Sequence, residues 1–259
     1  MLPSQGRGWG FDSPPPLQLI MSQLNSSLQQ KINYSADISS FVFDKPSAFS
    51  FEPGQFLQWT LPHQNPDDRG INRYFTISAS PTENFLMLTT RFSQNGSTFK
   101  KTLQNLQPNQ TITINNLEGN FTLPQDQNQP CVFLAGGIGI TPFRSMIKYL
   151  IDKNEKRTIT LLYSAKSTQD FVFKDLFSEA QAKINLKVVY VVAEDAPVDW
   201  PCRSGLIDFK LIQEEVSQYL QNLFYISGPK SMVGSFTKML TDNGVDASKI
   251  KHDFFPGYN

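Results

Sequence analysis

Residues 73–78 read Arg-Tyr-Phe-Thr-Ile-Ser, and their side chains suit one kind of ligand. The run is rich in aromatic and β-branched residues, which predicts a strand, and alternate residues of a strand share a face, so Arg73 and Phe75 project together. A guanidinium forks two phosphate oxygens, an aromatic ring lies against a flat heterocycle, and the Thr76 hydroxyl gives one directed hydrogen bond. The set matches a planar, phosphorylated nucleotide. Taken alone, a run this short fits an ordinary strand with a surface arginine equally well.

Three further segments carry the same chemistry. In NGSTFKKTL, residues 95–103, Gly96 permits close approach, while Ser97 and Thr98 offer hydroxyls and free N–H groups at the start of a helix, where the dipole favours an anion. That helix places Phe99, Leu103 and Leu106 at helical spacing, takes Ser97 or Thr98 as its N-cap, and ends before Pro108. In LAGGIGITPFRSMIKYL, residues 134–150, Gly136, Gly137 and Gly139 around Ile138 let backbone approach a pyrophosphate. Thr141 is the expected N-cap and Pro142 the first helical residue, with Phe143, Met146, Ile147, Leu150 and Ile151 as the buried stripe. Pro142 stands where the usual dinucleotide fingerprint has its third glycine, and the next strand ends in YSAK with no acid for a ribose, which disfavours a simple dehydrogenase. At that strand end Ser164 and Lys166 face the same region; Lys166 either attracts a 2′-phosphate or is solvated, and a capping box runs from Ser167 to Asp170. YISGPKSMV, residues 225–233, repeats the strand-turn-helix device. Gly228 makes the turn and Pro229 opens a helix that buries Met232, Val233, Phe236, Met239 and Leu240 until Asn243-Gly244 stops it.

RYFT followed by ISASP resembles the flavin-binding signature of the ferredoxin-NADP reductase superfamily. The likeness extends in order from EPGQF at 52–56 through GNFTLP at 119–124 and GGIGITP to the closing DFFPGY at 253–258. The resemblance implies that Arg73 meets the FAD pyrophosphate, that Phe75 stacks by the isoalloxazine without the hydroxyl of the tyrosine version, and that Thr76 sits at flavin N5. Tyr74 and Thr90 belong to the same implied flavin site, and Gly96, Ser97 and Thr98 take the FAD phosphates. Gly136, Gly137, Ile138, Gly139, Ser164, Lys166, Gly228 and Pro229 are the implied pyridine-nucleotide site. Thr141 and Ser227 approach the nicotinamide and join Thr76 as the expected catalytic residues. Phe255 or Tyr258 either covers the flavin face or packs in the core. Leu206 falls where relatives commonly carry arginine, with Arg203 close by, so NADH and NADPH both stay open.

The implied activity is that of an FAD-dependent oxidoreductase. Hydride passes between NAD(P)H, a diffusible co-substrate, and FAD, with nicotinamide C4 held ~3–3.5 Å from flavin N5. Electrons then go to ferredoxin, another redox protein, or a free flavin or quinone. Two other readings compete: an electron-transfer subunit of a larger redox complex, and a non-catalytic nucleotide-binding protein.

These segments need two kinds of scaffold. From residue 31 to 125 short apolar runs separated by Pro, Gly, Asn and Asp predict an antiparallel β-barrel carrying one helix, the FAD-binding half. From residue 126 to 259 strands alternate with helices, including a short one expected over Gln213–Leu220, and predict a parallel-sheet nucleotide-binding domain. The boundary falls near Pro124 to Pro130. Residues 1–30 are expected to be a disordered leader, with Met21 as the native start. The length of 259 residues suits two modest domains, and 39% hydrophobic with 18% charged residues suits burial of a core. Lys+Arg and Asp+Glu both number 23, so no overall field points to nucleic acid, and any anion site must be local. Cys131, Cys202, His63 and His252 are the complete set of those residue types, too few for an iron-sulfur cluster or a histidine metal centre. No run reaches the ~18 apolar residues of a membrane span, and a soluble, cytoplasmic protein is expected.

Overall fold

The computed structural model describes residues 23–193 and 200–255. The first half contains β1 (Leu24–Asn33), β2 (Ile38–Asp44), β3 (Phe56–Thr60), β4 (Asn72–Thr76), β5 (Phe85–Arg91), α1 (Thr98–Asn105) and β6 (Thr111–Glu118). The strands form one antiparallel sheet in the order β4-β3-β6-β1-β2-β5. It curls so that the Ser78 amide, just past β4, donates to the Met87 carbonyl of β5 at 2.7 Å. Phe41, Phe43, Trp59 and Leu88 fill the interior, and α1 closes it with Phe99 and Leu103. Ser97 caps α1 by accepting the Lys100 amide, as its sequence predicts.

The second half contains β7 (Cys131–Gly136), α2 (Thr141–Asp152), β8 (Ile159–Ala165), α3 (Lys174–Lys183), β9 (Leu186–Val192), β10 (Arg203–Ser204), α4 (Phe209–Glu215), β11 (Leu223–Pro229), α5 (Lys230–Asp242) and β12 (Ile250–Phe255). Its sheet is parallel in the order β10-β9-β8-β7-β11-β12. Helices α2 and α3 pack on one face through Phe143, Met146 and Phe177, and α4 and α5 on the other through Ile212, Phe236 and Leu240. The order reverses between β7 and β11. At such a switch point, connections leave in opposite directions and open a crevice beyond the strand ends, the general ligand position of open α/β sheets.

Three expectations need correction. Residues 24–30 are strand, not leader: LNSSLQQ lacks apolar alternation, but it pairs with β2 and β6 and buries Leu28, while the Ser26 hydroxyl donates to the Asp44 carbonyl at 2.6 Å. Residues 1–22, with Met21, lie outside the described residues. The helix expected over Gln213–Leu220 begins earlier, at Phe209, because the Asp208 carboxylate accepts the Leu211 amide, and it stops before Gln218 at φ 47°. Thr141 is the first residue of α2 rather than its cap, since a 3-10 turn over Gly137–Ile140 runs straight into the helix.

The two halves are joined by directed bonds. Arg144 of α2 clasps the Glu83 carboxylate with both terminal nitrogens and donates to the Ser78 carbonyl at 3.0 Å. The neighbouring Ser145 hydroxyl donates to the Ala79 carbonyl at 2.6 Å. Tyr225 donates to the Thr122 carbonyl at 2.8 Å, and Phe121 packs on Phe143 and Tyr225. The Arg144 and Glu83 side chains are only 11% and 10% exposed, so removing one leaves the other buried and uncompensated. Glu83→Ala should therefore lower unfolding free energy by about 3 kcal/mol. Urea denaturation followed by circular dichroism measures it, and a change within about 0.5 kcal/mol would show that the clasp does not join the halves.

Candidate functional site

The strand ends of both halves open onto one cleft. A cavity of about 640 Å³ is bordered on the barrel side by Arg73, Tyr74, Phe75, Thr76, Thr90, Gly96 and Ser97, and on the other by Ile138 and Thr141. RYFT and GGIGITP thus share a wall. A second cavity of about 320 Å³ adjoins it over the switch point, bordered by Gly136, Gly137, Ser164, Lys166, Gly228 and Pro229. Arg91 and Ile138 border both.

Two glycines explain how the turn after β7 reaches the cleft. Gly137 has φ +52°, a left-handed conformation in which a side chain would be strained. Gly139 lies so close to the end of β11 that a Cβ there would stand 2.2 Å from the Ser227 carbonyl oxygen. The 3-10 turn therefore rests directly on the Ser-Gly turn and delivers Thr141, 2% exposed, into the cleft. A Cβ on Gly136 or Gly228 would strike the Met232 thioether, at 2.2 and 2.4 Å. Met232, read from sequence as core, is half-buried and borders the smaller cavity.

On β4 the alternation holds, with a difference in what the rings do. Phe75 belongs to the barrel core and packs on Phe99 with centroids 5.9 Å apart, so only an edge of it reaches the cavity. Tyr74 is 49% exposed, set against Phe56 and bonded to Gln58. Arg73 is turned onto its own loop: it donates to the carbonyls of Arg69, Gly70 and Asn72 and pairs with Asp67 at 2.9 Å. Thr98 does not border the cavity, because Asp67 engages both its amide and its hydroxyl. Ser164 donates to the Ala135 carbonyl at 3.3 Å, and Lys166 is exposed. The capping box from Ser167 to Asp170 is present. Tyr258 lies outside the described residues, as does the ring of Phe255.

Sequence reasoning missed Asp253. β12 pairs in parallel with β11 so that Asp253 stands opposite Ser227. Its Oδ2 accepts long hydrogen bonds, each 3.5 Å, from Thr76 Oγ1 of the barrel and Ser227 Oγ of the α/β domain. Burial raises the pKa of this carboxyl to about 6, and the two hydroxyl donors only partly oppose the shift. The available signal was an acid beside the aromatic residues of the closing segment KHDFF, which reads instead as an aromatic tail. Two of the three expected catalytic residues, Thr76 and Ser227, are thus brought to a single carboxylate oxygen, and Thr141 borders the same cleft.

The residues fit an extended dinucleotide beside a second nucleotide: a cleft split between two domains, glycine cradles at a sheet switch point, and buried hydroxyls where the halves meet. Sequence profiles agree with this geometry. Residues 25–123 match the oxidoreductase FAD-binding domain and residues 133–238 the oxidoreductase NAD-binding domain. A glycine betaine monooxygenase reductase subunit of Chromohalobacter salexigens is 25% identical over 85% of this chain and 60% of its own length. Flavohemoprotein A of Dictyostelium discoideum is 24% identical over 88% of this chain and 59% of its own. The chain therefore spans about 60% of the length of these curated relatives. Among solved structures, a ferredoxin NADP+ reductase from Neisseria gonorrhoeae with bound FAD and NADP superposes with a TM-score of 0.76 at 20% identity, covering 90% of this chain and 98% of that one. The flavohem-like FAD/NAD-binding domain of nitric oxide dioxygenase from Vibrio cholerae gives 0.77 at 19% identity, covering 89% and 98%. With both domain profiles matched in order, the chain belongs to the oxidoreductases that join an FAD-binding domain to an NAD-binding domain, and its fold is that of the ferredoxin NADP+ reductase structure.

Proposed function

We propose that this chain is an NAD(P)H-dependent flavoprotein reductase that hands electrons to a separate acceptor such as ferredoxin, another redox protein, or a free flavin or quinone. One observation carries the reading: Thr76 and Ser227, from different domains, converge on Asp253 beside a cleft that Thr76 of the barrel borders together with Ile138 and Thr141 of the α/β domain. Arg73, Thr90, Gly96 and Ser97 would hold FAD, with Phe75 at the edge of its ring system, and Gly136, Gly137, Ser164, Lys166 and Gly228 would hold the pyridine nucleotide. Bound FAD would supply the two-electron chemistry itself.

The chain's own residues position and exclude. Thr76, 3% exposed, and Ser227, fully buried, are hydroxyls with fixed partners, so they are oriented before any ligand arrives, which lowers the ordering cost of binding. Thr141, at the start of α2, borders the same cavity as Thr76. Asp253 joins the two hydroxyls, and with its pKa near 6 the carboxyl holds a proton at mildly acid pH, while at neutral pH its ionised Oδ2 accepts from both hydroxyls. A second reading, the reductase module of a larger redox assembly, is favoured by the roughly 40% of each curated relative that this chain does not span.

Anaerobic titration of FAD-loaded protein with NADH and with NADPH tests the activity. Loss of the oxidised-flavin absorbance with at least one nucleotide is expected, and failure of both to bleach it rejects the proposal. Arg73→Ala should weaken FAD binding by about tenfold or more while far-ultraviolet circular dichroism stays unchanged; undiminished flavin occupancy would remove Arg73 from the site.

Asp253 also makes a prediction about pH. Between its ordinary value of 3.8 and about 6 the folded chain holds a proton that the unfolded chain has released, so this residue's contribution to stability falls as pH rises through that window. Above it, the buried charge costs on the order of 2–3 kcal/mol. Asp253→Asn should therefore raise the melting temperature at pH 8 and leave it nearly unchanged at pH 4, and the rate of flavin reduction should lose its inflection near pH 6. Equal shifts in melting temperature at both pH values would contradict the assignment.

A further inference from the structure

The start of α1 is tied to the barrel by a residue that lies outside the cavity. Asp67 sits in the loop between β3 and β4. Its Oδ2 accepts the Thr98 amide at 3.0 Å, and its Oδ1 accepts Arg73 Nη2 at 2.9 Å and the Arg69 amide at 3.1 Å. The bond to Thr98 is reciprocated, for the Asp67 amide donates to Thr98 Oγ1 at 2.9 Å. That hydroxyl in turn faces His63 Nε2 at 2.9 Å, while His63 Nδ1 faces the Leu61 carbonyl at 2.7 Å. A carbonyl only accepts, so Nδ1 carries the hydrogen, and in the neutral ring Nε2 accepts from the Thr98 hydroxyl.

The outcome is a single carboxylate spanning two elements that wall the larger cavity, Arg73 of β4 and the first turn of α1 beyond Gly96 and Ser97. Arg73 Nη1 is held by three loop carbonyls, its guanidinium lies over the Phe99 ring of α1 at 5.6 Å, and Asp67 supplies the hydrogen-bonded link between the arginine and the start of the helix. Its charge does not make the wall anionic. Asp67 bridges to Arg73 and also to Arg69, leaving the trio with one net positive charge. Burial pulls its pKa up, but the Thr98 and Arg69 amides and the two guanidinium groups outweigh that and hold it at about 2, so it is ionised at neutral pH.

Resting on the flavin reading above, we propose that Asp67 is a positioning residue for FAD: without touching the cofactor, it sets the spacing between Arg73 and the α1 N-terminus, the two groups that would share the diphosphate. Loop stitching alone would make the same bonds but predict a different energetic coupling. If Asp67 acts through Arg73, its loss matters for flavin only while Arg73 is present.

The test is a double-mutant cycle on flavin affinity, measured as quenching of FAD fluorescence on titration into flavin-stripped full-length protein, for the parent, Asp67→Ala, Asp67→Asn, Arg73→Ala, and Arg73→Ala combined with each Asp67 variant. Asp67→Ala should raise the FAD dissociation constant by about tenfold, the loss of one charge-assisted hydrogen bond. Asp67→Asn keeps an oxygen for the Thr98 amide and should recover to within about threefold of the parent. In the Arg73→Ala background, the Asp67→Ala step should shrink to about twofold or less. An Asp67→Ala constant matching the parent's, or the same fold-loss with and without Arg73, overturns the proposal; should Asp67→Ala not fold, an Asp67→Asn loss that persists in full without Arg73 does so. Parent protein that binds no FAD would instead refute the flavin reading itself.

Discussion

Everything at the cleft depends on the clasp between Arg144 and Glu83. Neither half contains the site: Thr76 and Arg73 are barrel residues, while Ser227, Thr141 and Asp253 belong to the α/β domain. Interfaces between domains of one chain are ordinarily loose enough for relative motion. Here the junction is stiffened by a bidentate ion pair, two hydroxyl-to-carbonyl bonds, the Thr82 hydroxyl donating to the Asp152 carboxylate, and the Phe121 ring packed on Phe143 and Tyr225. Arg91 adds a bridge to Asp170 at 2.8 Å, and both residues border the smaller cavity. Because Arg144 and Ser145 sit one turn into α2, the helix that presents Thr141 to the cleft is the helix that grips the barrel.

Charge follows the same economy. The chain is neutral overall, with 23 residues of each sign, so no long-range field gathers anionic nucleotides, and positive potential must be built residue by residue. It is built with partners attached. Arg73 is paired with Asp67, Arg91 with Asp37 and Asp170, and Arg203 with Glu214 and Glu215. Paired guanidinium groups hold their direction at the cost of part of their charge, which suits planar recognition of phosphate more than capture at a distance.

How much of this was legible in the sequence follows from what each feature is made of. The two-domain architecture was legible because apolar alternation and strand-helix alternation are local patterns, and the glycine turns because Gly137 and Gly139 solve a local steric problem. Ser97 as a cap and the Ser167 to Asp170 box are likewise set by residues three apart. What was not legible depends on distant pairing. β1 looks polar and becomes a strand only because β2 and β6 flank it. Phe75, read as a stacking ring, is mostly spent on Phe99 of α1. Thr98 looked free to bind phosphate, and its amide goes to Asp67, 31 residues upstream. Asp253 acquires meaning only opposite Ser227, a pairing that no spacing along the chain encodes.

That pairing is itself held by side chains on both faces of β12, which among the described residues is an edge strand paired with β11. A slip of one residue would reverse every side chain and put His252 where Asp253 stands. Ile250, 7% exposed, is locked into the core under α4 and α5, and His252, on the same face, meets Thr237 of α5 at 2.9 Å. On the other face Lys251 lies over the Tyr225 ring at 5.1 Å and donates to the Thr122 carbonyl at 3.1 Å. Lys251 and Asp253 share that face, so the lysine that reaches back to the exit of the barrel also fixes which residue comes next to the cleft. Ile250 and His252 thus hold the register of β12 from within the α/β domain, while Lys251 ties the strand that carries Asp253 to the barrel that carries Thr76.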